Sequence, residues 1–250
     1  MPDTPLDPEK LPGHAVANRD AWNADSDTYQ ADHGPQLKAS GGMAWGVWQM
    51  PEKHLQVLGD VKDQDILEFG CGAAQWSISL AKAGARPVAL DLSEKQLEHA
   101  RKLMIDADVD FPILHASAEE VPLPDESFDI VFCDYGAMTF GDPYATVPEA
   151  ARLLRPGGLL LLHGFNPESV VLGASGDGLQ ARPLPPEVMR WLVEARGFYS
   201  ARIARPVAAR DNAPAGAAAP RHLAMTAPAV VPFEASQVSS ECAIVARKMS

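Results

Sequence analysis

The chain has 250 residues, 46% apolar and 22% charged, which fits one or two folded domains and excludes a disordered, collagenous or disulfide-stapled chain. Twenty-one Lys and Arg against 33 Asp and Glu leave a net charge of −12. That balance disfavours binding along a nucleic-acid backbone, where the protein's own cations must displace counterions, but suits a neutral or cationic small ligand.

Cys71, Cys133 and Cys242, with no CxxC pair, provide neither a disulfide framework nor a metal site. The opening MPDTPLDPEKLPG lacks a basic and apolar leader pattern, and no apolar run approaches the ~20 residues that span a bilayer. A soluble, cytoplasmic protein without membrane or nucleic-acid partners is expected, as a monomer or homodimer.

Residues 1–13 form a proline-rich arm. From about Arg19 to Gly59 a helical but irregular pattern carries Trp22, Trp45 and Trp48, interrupted by SGG at 40–42. Asp65–Phe69 reads as a buried strand, Gly70-Cys71-Gly72 as a tight turn, and Gln75–Ala83 as a helix closed by Gly84. Pro87–Asp91 is the second strand. Ser93 and Gln96 then form a capping box ahead of a helix carrying Leu97, Ala100 and Met104. Further strands are expected at Pro112–His115, Asp129–Cys133 and Leu159–His163. A helix over about Val147–Leu154 ends at a turn, Arg155-Pro-Gly-Gly158. Pro185–Ala195 reads as another helix, 208–235 as an Ala/Pro-rich loop, and Ala243–Arg247 as a final antiparallel strand. Alternating strands and helices predict βαβ units and a parallel sheet.

The chemistry concentrates in Glu68-Phe-Gly70-Cys71-Gly72-Ala-Ala74, between a strand and a helix. Glycines permit a sharp turn and close backbone approach to a ligand, and the helix N-terminus offers unpaired N–H groups. Asp91 ends the next strand 21 residues after Gly70, where a carboxylate grips the ribose of an adenosine-containing cofactor. A dinucleotide fingerprint would place a third Gly or Ala where this chain has Gln75. Glu68 beside the loop repels a pyrophosphate and attracts an amino group and a sulfonium, so S-adenosylmethionine is favoured over a nicotinamide cofactor.

Four ordered segments carry a resemblance: LEFGCGAAQ (67–75), VALDLS (88–93), HASAEEVPLPDESFDIVFC (115–133) and EAARLLRPGGLLLLH (149–163). Over about residues 55–165 the chain resembles class I S-adenosylmethionine-dependent methyltransferases of the small-molecule, type 11 kind. The resemblance implies an α/β, Rossmann-like, seven-stranded and mostly parallel sheet, with helices on both faces and a reversed last strand. Three parts are expected: a helical, aromatic cap or lid at 1–54, the cofactor-binding core at 55–207, and a loop and final strand of the same domain at 208–250. Carried over, the pattern gives Gly70, Cys71 and Gly72 to the methionine moiety, with Glu68 beside them. Asp91 falls to the ribose, Leu92, Ser117 and Ala118 to the adenine, and Cys133 and Asp134 to the sulfonium side. Tyr29, spaced from Trp22 as WxxxxxxY, resembles an aromatic that covers the cofactor, with Trp45 and Trp48 closing the same lid. Ser117 stands where the family commonly has an acid, and Ala74 where it has a third loop glycine.

Candidate proton acceptors are His163, His33 and Asp134. His163 follows the fifth strand, at the edge where open α/β sheets bind ligands. The expected activity is methyl transfer to an O, N or C atom of a small molecule. Two other readings are an NAD(P)-dependent oxidoreductase and a methyltransferase-fold protein that binds without catalysing.

Overall fold

The computed structural model describes residues 6–39, 41–46, 49–165, 198–204 and 241–248. The expected helix at 185–195, the loop at 208–235 and Trp48 lie outside these residues.

The helical pattern near the N-terminus resolves into one long helix, α1 (Gly13–Ala39), ending where SGG begins. A small hairpin of β1 (Ala44–Trp45) and β2 (Met50–Pro51) follows, then a single turn, α2 (Glu52–Leu55). The alternating core comes next. Its elements are β3 (Asp65–Phe69), α3 (Gln75–Lys82), β4 (Arg86–Asp91), α4 (Glu94–Ala107), β5 (Ile113–His115), β6 (Phe128–Asp134), α5 (Ala137–Phe140), α6 (Pro143–Leu153) and β7 (Leu154–Phe165). Strands β8 (Phe198–Ala204) and β9 (Glu241–Lys248) close the sheet.

The sheet has seven strands in the order β5-β4-β3-β6-β7-β9-β8. All pairs from β5 to β7 are parallel, while β9 runs antiparallel to both β7 and β8. This is the α/β Rossmann-like sheet with the reversed last strand that the sequence implied. The predicted turn at 155–158 is instead a bulge inside β7. Phe128 pairs with Leu154 and Ile130 with Leu159, so the intervening residues loop out, with Gly157 at φ +78°.

Strand alternation sorts the core into two layers. Ile66, Ile130, Phe132, Leu159 and Leu161 face Trp45, Trp76 and Leu80. Leu67, Phe69, Val131, Cys133, Leu160 and Leu162 face the α6 side, against Val147 and Leu153. Burial on both faces explains why these strands read as continuous apolar runs. Helix α1 is different: its buried residues are only Ala15, Asn18 and Ser26. Polar contacts hold it to α4. Gln30 Nε2 donates to Gln96 Oε1 (2.9 Å), Ser93 Oγ to Asn23 Oδ1 (2.7 Å), and His99 Nε2 lies 2.8 Å from Asp27 Oδ1.

Half of the expected capping box forms. Gln96 N–H donates to Ser93 Oγ (3.1 Å), but Ser93 N–H donates to Asp91 Oδ1 (2.8 Å), and the Gln96 side chain turns to Gln30. The carboxylate of Asp91 takes the bond that Gln96 would otherwise make. No helix among the described residues is long and apolar enough to cross a membrane. Among them, no cluster of His, Cys, Asp and Glu is arranged to hold a metal ion.

Candidate active site

Strands β4, β3 and β6 end at Asp91, Phe69 and Asp134, and a cleft of about 780 Å³ opens over these carboxyl ends. The position follows from the topology: the chain winds outward from β3 through β4 to β5, then crosses back to β6, leaving a crevice at the switch point.

Ten of the sequence-predicted cofactor residues line this one cleft: Tyr29, Glu68, Gly70, Cys71, Gly72, Asp91, Leu92, Ser117, Ala118 and Asp134. Cys133 does not. It is fully buried on the face that Val131 occupies, its Sγ accepts from Met138 N–H (3.4 Å), and burial pushes its thiol up to about 12. The side-chain alternation that sends Asp134 one way sends Cys133 the other. Cys71 lines the cleft, but burial holds its thiol well above the ordinary range, so it is no nucleophile.

Glycines Gly70 and Gly72 do different jobs. A Cβ on Gly70 (φ +74°) would stand 2.1 Å from Ala137 N and 2.7 Å from Gly136 Cα, so this glycine admits the start of α5 rather than a ligand. On Gly72 (φ +53°) a Cβ would meet only Gln96 Oε1, at 3.6 Å. The carboxylate of Asp91 reaches back to this loop, accepting from Gly72 N–H (2.8 Å) and Ser93 N–H (2.8 Å). Burial raises its pKa while those bonds lower it, the former prevailing. Replacing Asp91 by Ala strands the buried Ser93 N–H and removes the acid that the sequence pattern leads one to expect at a ribose. Calorimetry on Asp91→Ala is expected to show S-adenosylhomocysteine binding weakened at least ~30-fold, from the loss of charge-assisted hydrogen bonds of about 1.5–3 kcal/mol each.

The structure corrects the electrostatic part assigned to Glu68. Its side chain is buried, and its Oε2 accepts from Ser77 N–H (3.1 Å) and Ser77 Oγ–H (2.5 Å). Burial pushes this carboxyl up to about 8, with Asp134 and Asp91 adding to the rise. Near neutral pH it is mostly uncharged, so it does not supply the charge that the sequence reading gave it.

Glu119 was not singled out from the sequence, although it stands only two residues beyond Ser117. Its Oε1 lies 2.6 Å from His14 Nε2 and accepts from Asp142 N–H (2.7 Å), pinning α1 to the core at the cleft rim. Ser117 Oγ accepts from Glu119 N–H (3.2 Å). Among the described residues, four carboxyl groups (Glu68, Asp91, Glu119, Asp134) and no Lys or Arg line the cleft.

Helix α1 supplies the opposite wall. Trp22 meets Tyr29 and Phe140 edge-on, with centroids 5.4 and 5.6 Å apart, and His33 stacks on Tyr29 at 4.4 Å. His33 lies exposed at the mouth. Trp45 is not a lid residue: it is 3% exposed, packed on Trp76 and Phe132, and its Nε1–H donates to Glu52 Oε2 (2.6 Å). His163 is buried and does not line the cleft. The sheet pairs it with Asp134, and its Nδ1 lies 2.6 Å from Asp134 Oδ1.

This geometry fits an adenosyl sulfonium cofactor. Apolar Leu92, Ala116, Ala118 and Phe140 flank the acids in the cleft, and no Lys or Arg offsets those acids among the described lining residues, which suits a cationic ligand better than an anionic one.

Comparison with known proteins agrees. A family model described as "Methyltransferase domain" matches residues 67–162. A demethylmenaquinone methyltransferase of Clavibacter sepedonicus is 32% identical over 140 residues, 56% of this chain and 56% of that protein. The 27-O-demethylrifamycin SV methyltransferase of Amycolatopsis mediterranei (strain S699) is 38% identical over 119 residues, 46% of this chain and 42% of that protein. The chain thus spans about half the length of these curated relatives. A crystal structure of an S-adenosylmethionine-dependent methyltransferase from Thermotoga maritima shares the fold, with a TM-score of 0.56 at 21% identity over 91% of this chain and 99% of that one. The matched segment, 67–162, carries the strands from β3 to β7 whose carboxyl ends form the cleft, so the likeness to the methyltransferase domain and the site coincide.

Proposed function

We propose that the protein transfers a methyl group from S-adenosylmethionine to a small-molecule acceptor bound in the same cleft. The observation that carries this reading is Asp91, its carboxylate turned toward the Gly70–Gly72 loop in a cleft lined with acids and without described Lys or Arg. The names of the relatives, built on demethylmenaquinone and demethylrifamycin SV, support a small-molecule acceptor.

Asp91 holds the ribose, Leu92, Ser117 and Ala118 the adenine, and the Gly70–Gly72 backbone with Glu68 the methionine moiety. Tyr29 covers them from α1, which serves as a cap on the cleft, and β9 completes the core sheet beside β7. When bound, S-adenosylmethionine would supply an electrophilic methyl group on a sulfonium, with a neutral thioether as the leaving group. The protein therefore needs no covalent nucleophile. Its residues align the reactants at about 3–3.5 Å and keep water out, which is worth several kcal/mol. Asp134 faces the cleft and is the nearer proton acceptor; His163 acts behind it.

The test is native mass spectrometry and calorimetry with S-adenosylmethionine, S-adenosylhomocysteine and NADH, followed by labelled-methyl transfer over an acceptor panel. Binding of both adenosyl compounds, with transfer to at least one acceptor, is expected. Binding of NADH alone overturns the reading in favour of an oxidoreductase. Binding without transfer to any acceptor leaves a cofactor-binding protein of this fold.

A further inference from the structure

Three glutamines from three helices form a chain of side-chain amides beside the glycine loop. Gln75, the first residue of α3, donates from Nε2 to Gln30 Oε1 of α1 (3.2 Å), and Gln30 donates from Nε2 to Gln96 Oε1 of α4 (2.9 Å). Each amide has one C=O and one N–H2, so a chain of this kind ends in one free C=O and one free N–H2. The free C=O is at Gln75, which is half-buried, where water can satisfy it. The free N–H2 is at Gln96, a residue only 3% exposed, and makes no hydrogen bond to a described residue. It is not sealed in: Gln96 lines the cleft, and its N–H2 opens there. Leaving such a donor unmet is costly, so the position calls for an acceptor atom from a ligand.

What that atom belongs to follows from the neighbouring acid. Gly72 lies between Gln96 and Asp91: its Cβ position is 3.6 Å from Gln96 Oε1, and its N–H donates to Asp91 Oδ2 (2.8 Å). The start of α4 ties the same two residues together, since Ser93 N–H donates to Asp91 Oδ1 (2.8 Å) and Gln96 N–H to Ser93 Oγ (3.1 Å). A carboxylate that accepts and an amide N–H2 that donates thus flank one glycine. A hydroxyl group both donates and accepts, and two neighbouring hydroxyls, as on a ribose, match the pair. The acid also fixes the sense of the amide chain: the reverse sense would turn the Gln96 C=O, the negative end of its dipole, into the cleft that Asp91 lines.

We propose that Gln96 is a ribose-selecting residue beside Asp91, donating from Nε2 to a hydroxyl oxygen of the sugar, and that Gln30 on α1 positions it by holding its C=O away from the cleft. The identity of the ligand rests on the methyl-transfer reading, but the selectivity is measurable without turnover. Docking of α1 and recognition of the sugar are then linked: without Gln30, nothing sets which end of the Gln96 amide meets the ligand.

The experiment is calorimetry on the full chain with S-adenosylhomocysteine and its 2′-deoxy and 3′-deoxy forms, for wild type, Gln96→Met and Gln30→Glu. Methionine keeps roughly the volume of Gln96 without the donor, and Gln96→Met is expected to bind S-adenosylhomocysteine about 5- to 10-fold more weakly, the worth of one hydrogen bond. For the deoxy form lacking the hydroxyl that Gln96 meets, the same substitution should change affinity by less than about twofold, because there is no bond left to lose. Gln30→Glu tests the positioning role. A carboxylate only accepts, so Gln96 must turn its N–H2 toward residue 30 and its C=O toward the ligand. S-adenosylhomocysteine should then bind at least about threefold more weakly while the same deoxy form is spared, although residue 30 does not touch the ligand. A general disturbance of α1 would instead weaken all three ligands alike. Should Gln96→Met fail to fold, Gln30→Glu, at a half-buried position, still decides. Equal losses for all three ligands, or no loss for any, overturns the proposal while leaving the methyl-transfer reading intact. Failure of wild type to bind any of the three overturns both.

Discussion

Stability of the protein should fall as pH rises from about 4.5 to about 8, and Glu68→Gln should remove most of that fall. In the unfolded chain a glutamate ionises near 4.5, whereas burial keeps the folded Glu68 carboxyl protonated up to about 8. Between those values the folded state binds the extra proton, so each pH unit costs about 1.4 kcal/mol of stability, up to about 5 kcal/mol across the window. Below 4.5 both states are protonated and the penalty vanishes; above 8 both are ionised and it stays constant. Glutamine keeps an oxygen for Ser77 N–H and Oγ–H but never ionises. Urea unfolding at pH 5 and pH 8 is the measurement. Wild type and variant should be similar at pH 5, with the variant more stable by several kcal/mol at pH 8. Equal slopes for the two would show that Glu68 is already charged in the folded protein.

Glu68 also marks where sequence reading succeeds and where it stops. Its place between β3 and the glycine loop was legible, because apolar runs of strand length punctuated by glycines define β3, β4, β6 and β7. Its charge was not, since ionisation depends on what covers it and a linear pattern carries no burial. The same gap misassigned Cys133, which shares a segment with Asp134 but points into the α6 layer, and Trp45, an aromatic buried in the core rather than over the cofactor. Helix α1 was only half legible for another reason. It attaches through Asn23, Asp27 and Gln30, with little apolar surface, so no stripe at helical spacing declared its buried face. Glu119 escaped notice because its partner His14 lies 105 residues away and comes within 2.6 Å only when α1 folds over the cleft. Long-range pairing of this kind is a property of the sheet order, not of local spacing.

Gly70→Ala should be far more damaging than the same change at a glycine of equal φ with open space around it. The residue sits at φ +74°, where an L side chain costs about 1–2 kcal/mol by itself. The added Cβ would then stand 2.1 Å from Ala137 N and 2.8 Å from Gly136 C, both backbone atoms that no rotamer change can move. Gly136 cannot yield, because a displacement toward β3 is blocked: the position of its own missing Cβ is 2.3 Å from Phe69 O and 2.4 Å from Gly70 O. The two glycines are thus a close backbone crossing that joins the end of β3 to the start of α5, with Asp134 and Tyr135 immediately before it. Gly41 provides the control. At φ +78° it carries the same conformational cost, but nothing lies within 4 Å of its Cβ position. Gly41→Ala should therefore lose only about 1–2 kcal/mol, and Gly70→Ala more than about 3 kcal/mol, lowering the melting temperature by roughly 6–12 °C. Because the crossing positions both the loop that Asp91 engages and the strand end that presents Asp134, S-adenosylhomocysteine binding should be lost from Gly70→Ala even where the chain still folds. Thermal unfolding and calorimetry on the pair of variants separate the outcomes: matching losses at Gly70 and Gly41 would mean that the crossing relaxes freely and that backbone conformation alone sets the cost.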